Sequence, residues 1–151
     1  MEIGEEDPAV ADVAALLALH RNDAHRHSSP GSGPALDVDA LRAPGISFWT
    51  ARDGGRLLGC GAMREIDAGH GEIKSMHVDR ASRGRGVGAA ILAHILETAR
   101  SRGYRRVSLE TGADATFAAA RALYARFGFL PCPPFGGDRE DRHSIFLSLD
   151  L

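Results

Sequence analysis

Three glycines stand at alternate positions in Arg83-Gly84-Arg85-Gly86-Val87-Gly88, between a stretch with strand character and one with helical periodicity. Backbone of that composition can approach a ligand closely and turn its N–H groups inward. Ahead of a helix, such a nest favours an anion, because unsatisfied donors and the helix dipole both attract negative charge. Arg83 and Arg85 add cations suited to phosphate oxygens, so a pyrophosphate fits the loop. Read alone, the cluster is also compatible with a flexible turn that opens a helix. No Gly-Lys-Ser/Thr follows, which excludes a P-loop. Gly84, Gly86 and Ala89 match G-x-G-x-x-A, and Glu110 ends the next strand. Asp79 to Arg83 nevertheless separate the loop from its strand, and only one strand-helix-strand unit is present, which argues against a dinucleotide-binding domain.

The elements around the loop follow from periodicity. Asp7-Pro8 predicts an N-cap and first helical position, with Val10, Val13, Leu16 and Leu17 forming one face of a helix that ends near His20. Residues 21 to 35 lose the pattern and predict a loop, followed by a short helix over Val38 to Arg42 capped by Asp37. Ile46 to Arg52 and Leu57 to Glu65 predict a hairpin turned at Asp53-Gly54-Gly55. Glu72 to Val78 extends the sheet. After the glycine loop, Gly88, Ile91, Leu92, Ile95 and Ala99 share one helical face, and Gly103 supplies the stop. Arg106 to Thr111 predicts a strand, Asp114 to Phe127 a helix stopped by Gly128, and Ile145 to Leu149 a last strand. Residues 131 to 137 are rich in Pro and Gly, and Asp138 to His143 form a charged stretch read as a solvated loop. No linker or repeat divides the order, so residues 1–151 are expected to form a single domain.

Composition narrows the function. A chain of 151 residues with 44% apolar and 25% charged residues can bury one globular core. A net charge of −2 provides no field for nucleic acid, so no nucleic-acid partner is expected. The acidic N-terminus and the absence of a long apolar run predict neither secretion nor a membrane partner, and place the protein in the cytoplasm. Cys60 and Cys132 show no metal or redox spacing and are expected as reduced thiols. His20, His25 and His27 lack a carboxylate or thiol to complete a metal site, so no metal is expected, and they read instead as solvated histidines or acceptor-site lining.

Two motifs in order carry a resemblance. Arg83-Gly84-Arg85-Gly86-Val87-Gly88 resembles the Q/R-x-x-G-x-G/A acetyl-CoA loop of the GNAT N-acetyltransferase superfamily. Ala120-Arg121-Ala122-Leu123-Tyr124-Ala125-Arg126-Phe127-Gly128-Phe129 resembles its A-x-x-L-Y-x-x-x-G-F segment. Within the superfamily, Gly71 to Met76 and the tail Pro134 to Phe146 are most similar to a bacterial subgroup sometimes labelled indole-3-acetic acid acetyltransferase. The implied fold is α/β in three layers: a mixed, mostly antiparallel twisted sheet flanked by helices and splayed between the strands on either side of the loop helix. Many members carry Asn seven residues before the motif tyrosine, whereas this chain has Phe117.

The resemblance also implies roles. Acetyl transfer to an amine needs a deprotonated nucleophile, a polarised carbonyl and a proton for the departing thiolate. Tyr124 is expected as the general acid, near the thioester sulfur. Glu72, eleven positions before Arg83, is the candidate base, with Glu110 in reserve; a solvated strand-end carboxylate paired with Lys74 is the plainer reading of Glu72. Main-chain N–H groups of Met76, His77 and Val78, at an expected bulge, would polarise the carbonyl, while Arg83, Gly84, Arg85, Gly86, Val87 and Gly88 hold the cofactor's diphosphate. The implied activity is acetyl-CoA-dependent acetylation of a primary amine on a small molecule or peptide, by direct attack in a ternary complex. The alternative is a non-catalytic acyl-CoA-binding sensor on the same fold. Relatives often dimerise, which makes a homodimer compatible with the resemblance.

Overall fold

A computed structural model gives the fold, and it describes residues 1–26, 37–135 and 143–151, with the side chains of 21–26 outside that description. In chain order the elements are β1 (Glu2–Glu5), α1 (Ala11–Arg26), α2 (Val38–Leu41), β2 (Ile46–Asp53), β3 (Arg56–Asp67), β4 (His70–Val78), α3 (Val87–Ser101), β5 (Arg106–Gly112), α4 (Ala118–Arg126), β6 (Leu130–Pro131) and β7 (Ser144–Asp150). The strands form one sheet in the order β1-β2-β3-β4-β5-β7-β6. Among the described residues only β4 and β5 run parallel, and the other neighbouring pairs are antiparallel. This is the mixed, mostly antiparallel sheet that the resemblance implies.

Alternation along the strands gives the sheet two apolar faces. On one, Val13, Leu16 and Leu17 of α1 and Leu41 of α2 pack on Phe48, Cys60 and Ala62. On the other, Ile91, Leu92, Ile95 and Ala99 of α3 and Tyr124 of α4 pack on Trp49, Met63, Ile73, Val107 and Leu109. The helical face read from the sequence after the glycine loop is therefore the buried one.

Both long helices on this second face end alike. The N–H of Tyr104 donates to Ala99 O at 3.0 Å and that of Phe129 to Tyr124 O at 3.1 Å, each across a glycine of positive φ, Gly103 at 79° and Gly128 at 96°. These are Schellman closures, in which glycine takes the left-handed position that a side chain would strain.

Several boundaries differ from the expectation. Asp7 Oδ1 accepts from the N–H of Ala9, so Asp7-Pro8 makes a turn and α1 begins only at Ala11. That helix then runs six residues past His20, because residues 21–26 contain no Gly or Pro to stop it. The remainder of the expected loop lies outside the described residues, as does the charged stretch 138–142. The last helix is preceded by a 3₁₀ turn, Ala115–Phe117, whose first N–H groups are drawn to Asp114. Two short strands have no counterpart in the sequence reading. β1 is a polar edge strand, Glu2–Glu5, paired with β2, and β6 holds two residues against β7.

Candidate active site

A cleft of about 640 Å³ opens where the central strands part. The β4–β5 pairing runs only from His70↔Arg106 to Ile73↔Leu109, although both strands continue. A second irregularity lies on β4's other edge. Between Cys60↔His77 and Ala62↔Lys74, β4 carries one residue more than β3, and Ser75 sits there at φ 52°. This is a β-bulge, which turns the end of β4 away from its neighbour. The expected bulge and splay are thus present, with Met76 in the bulge and His77 and Val78 just past it, all three on the cleft wall.

The glycine loop forms one end of the cleft. Gly84 and Gly86 have φ of 78° and 79°, and Gly86 caps α3. Donors in that helix's first turn have no acceptor of their own within the helix. Gly88 faces α4, where an added methyl would stand 3.2 Å from Leu123 Cδ2. Arg83 donates from Nε to Val78 O at 3.3 Å and lines the cleft, as do Gly84, Gly86, Val87 and Gly88. Arg85 is exposed and lies off the wall, whereas Arg80 and Arg126, which sequence reading did not select, lie on it. Ser82 is fully buried beside the loop, and its hydroxyl has no hydrogen-bond partner among the described residues. Paired positive-φ glycines, an orphaned hydroxyl and bordering cations suit a diphosphate.

Tyr124 enters from α4. Its ring is 6% exposed and packs edge to face on Phe129, with centroids 5.6 Å apart. The G-F end of the second motif thereby acquires a physical meaning: glycine closes the helix and the following phenylalanine fixes the tyrosine one turn back. Burial pushes the Tyr124 phenol well above its ordinary value, so it stays protonated at neutral pH. Phe117 lies along the cleft against Gly112, where an added methyl would approach its ring to 2.1 Å. An aromatic ring therefore occupies the position where an amide would be expected.

The two carboxylates singled out in the sequence both line the cleft. Glu72 is completely buried rather than solvated, because the β3–β4 register sets Arg64 against it; Arg64 Nη2 donates to Oε1 at 2.6 Å, and Lys74 Nζ stands 3.3 Å from Oε2. The lysine contact is one of charge rather than a hydrogen bond, since Oε2 has no partner of suitable geometry. Glu110 accepts from the Ser144 hydroxyl at 2.6 Å. Arg64 was missed because its partner is eight residues away across the β3–β4 hairpin. His20, read from the sequence as a solvated histidine or acceptor-site lining, lines the cleft and meets His77 of β4, with their Nδ1 atoms 3.1 Å apart.

Burial pushes the Cys60 thiol up to about 12, and it donates to Ser75 O at 3.4 Å. Both cysteines are free thiols. Among the described residues no three His, Cys, Asp or Glu side chains gather to hold a metal ion, and no helix is long and apolar enough to cross a membrane.

Comparison with known proteins agrees with this geometry. Residues 14–129 match the acetyltransferase (GNAT) family. The chain is 44% identical over its full length, and over all of the relative, to the uncharacterized N-acetyltransferase YsnE of Bacillus subtilis. It is 38% identical to an IAA acetyltransferase of Azospirillum brasilense, covering 80% of this chain and 78% of that one. Among solved structures, a Klebsiella pneumoniae protein described as a putative acyl-CoA N-acyltransferase superposes with a TM-score of 0.82 at 30% identity, covering 99% and 97% of the two chains. A GNAT family acetyltransferase of Elizabethkingia anophelis with acetyl-CoA bound superposes at 0.73 and 18% identity, with the same coverage. The chain therefore belongs to the acetyltransferase (GNAT) family and is an acyltransferase.

Proposed function

We propose that the protein transfers the acetyl group of acetyl-CoA to a primary amine of a small molecule or peptide, by direct attack within a ternary complex. The observation that carries this reading is the split between β4 and β5, with a diphosphate-shaped nest at one end and the buried phenol of Tyr124 on its wall. The acetyl-CoA found in the Elizabethkingia relative supports the choice of cosubstrate.

Each residue then has a task. Main-chain amides of the Gly84–Gly88 loop hold the diphosphate, with Arg80, Arg83 and Arg126 bordering it. Met76, His77 and Val78 present backbone at the split, where N–H groups would polarise the thioester carbonyl. Tyr124 gives its proton to the departing sulfur, as a neutral phenol can. Glu72 and Glu110 stay the carboxylate candidates for the base, and Glu72 could act only through an oxygen already beside a cation.

Calorimetry with coenzyme A and acetyl-CoA tests the first half, and free-thiol release with acetyl-CoA across an amine panel tests the second. The expected outcome is uptake of both ligands and amine-dependent thiol release. Uptake without turnover on any amine would favour an acyl-CoA sensor, and no uptake at all would end the reading.

A further inference from the structure

Lys74 has no task in the scheme above. It is the first residue of β4 beyond the seam, and continuing the register past Ile73↔Leu109 sets it opposite Glu110 of β5. Both line the cleft, yet among the described residues Lys74 forms its one ion pair with Glu72 rather than across the gap. Ile73 packs in the core on the α3 side, while Ala62, which faces Lys74 across the β3–β4 ladder, packs on the α1 side. Alternation therefore turns the Lys74 side chain to the α1 side, as it does that of Glu72 two residues earlier.

The charge count around it is uneven. Arg64 Nη2 donates to Glu72 Oε1 at 2.6 Å, and that charge-assisted bond already neutralises the buried carboxylate. Lys74 is a second cation against the same carboxylate, 3.3 Å from Oε2, and it makes no hydrogen bond there, since Oε2 has no such partner. Pairing with Glu72 thus accounts for one cation and leaves one positive charge over. The Lys74 side chain is only 17% exposed and lines the cleft, so a charge largely withdrawn from water faces a ligand-sized space without an acceptor for its N–H groups among the described residues.

Position decides which molecule supplies the anion. Val78, whose carbonyl Arg83 holds, lies four residues further along β4, about 13 Å at the rise of a strand. The glycine nest is at that far end, so the coenzyme's diphosphate is not the group at Lys74. Tyr124 reaches the cleft from α4, on the α3 side. A molecule held by Lys74 therefore stands on the α1 side of the thioester, away from the proton donor of the departing sulfur.

We infer that Lys74 binds a carboxylate carried by the acceptor, so that the amine acetylated belongs to an amino acid or a like zwitterion. This rests on the acetyltransferase reading and deepens it. A monoanion matches the single positive charge left by Arg64, Glu72 and Lys74, and a carboxylate gives the ammonium the acceptor it lacks. Glu110 adds negative charge on the opposite wall, where the ammonium end of such a molecule is favoured.

The test measures thiol release from acetyl-CoA on a panel of α-, β- and ω-amino acids, each beside its carboxamide and the amine lacking the carboxyl group, with the wild type, Lys74→Gln and Lys74→Arg. The wild type's best acceptor should be an acid, with kcat/KM at least about tenfold above its amide. Lys74→Gln should raise KM for that acid about tenfold or more while kcat, and kcat/KM for the amide, stay within about threefold. Lys74→Arg keeps the charge and should keep the preference for the acid. Coenzyme A affinity by calorimetry should stay within about threefold in both variants. If Lys74→Gln is misfolded by circular dichroism, Lys74→Met replaces it, and the acid-to-amide ratio of the wild type decides without either. An amide or plain amine used as well as its acid overturns the inference, as does a Lys74→Gln variant that loses acid and amide turnover alike. Coenzyme A uptake with no turnover on any member, or no uptake at all, would instead remove the underlying acetyltransferase reading and the inference with it.

Discussion

The two ends of the cleft are built by different means. At the glycine-loop end the wall includes bare backbone, and its shape depends on Gly84 and Gly86 holding positive φ within a few residues of each other. At the transfer end the surface is side chains drawn from α1, β4, β5 and α4, with His20 and His77 in contact across 57 positions. A backbone site is local and fixed by residues that no other type can replace. A side-chain site is assembled by the topology, and its members can be exchanged as the acceptor changes. The difference explains how one fold can keep its donor and vary its acceptor.

The largest effect should come from the transfer end. Tyr124→Phe keeps the ring against Phe129 and removes only the hydroxyl, so kcat should fall about 10²- to 10⁴-fold with coenzyme A affinity unchanged. Steady-state kinetics beside calorimetry checks this, and an unaltered kcat would take Tyr124 out of the chemistry. Next comes the backbone itself. Gly86→Val places a β-branched residue at φ 79°, a strain of about 1–3 kcal/mol, and should weaken coenzyme A binding about 10- to 100-fold while the fold survives. Equal affinity would mean that the amides do not hold the diphosphate.

A smaller effect sharpens the contrast between neighbouring arginines. Arg83→Ala should weaken coenzyme A binding by about fivefold at low salt, and less at high salt, whereas Arg85→Ala should change it little. The reverse order would show the loop turned the other way.

The smallest effect lies far from the split. Arg52 donates to Glu6 at 2.7 Å and 3.0 Å and holds that carboxyl below the usual range. A lowered folded-state pKa contributes stability that is complete above the unfolded value, near 4.3, and is lost as pH falls through the folded value. Arg52→Met should therefore cost less than about 1 kcal/mol at neutral pH in urea unfolding, and the difference from wild type should shrink in acid.

Legibility followed the same division. The glycine loop, the buried face of α3 and the Leu123-Tyr124…Gly128-Phe129 segment could be read because each is decided by neighbours in sequence: a turn, a helical period, a Schellman closure. β1 was not legible, since Glu2-Ile3-Gly4-Glu5 is four mostly polar residues and becomes a strand only by pairing with β2. Glu72 was found by spacing, but its partner Arg64 depends on the hairpin's register, which no single segment states. His20 looked like one of three scattered histidines until α1 was laid over β4. The charged stretch Asp138 to His143 carried no pattern from which an acceptor could be named.

The four pairs from His70↔Arg106 to Ile73↔Leu109 have a mechanical consequence. They are a short seam between two plates of sheet, one of four strands and one of three. A guest lodged beyond the seam bears on both plates at once and braces them. Filling the gap should therefore raise the melting temperature with guest concentration and slow amide exchange most at residues 74–78 and 110–112, where the plates otherwise stand apart.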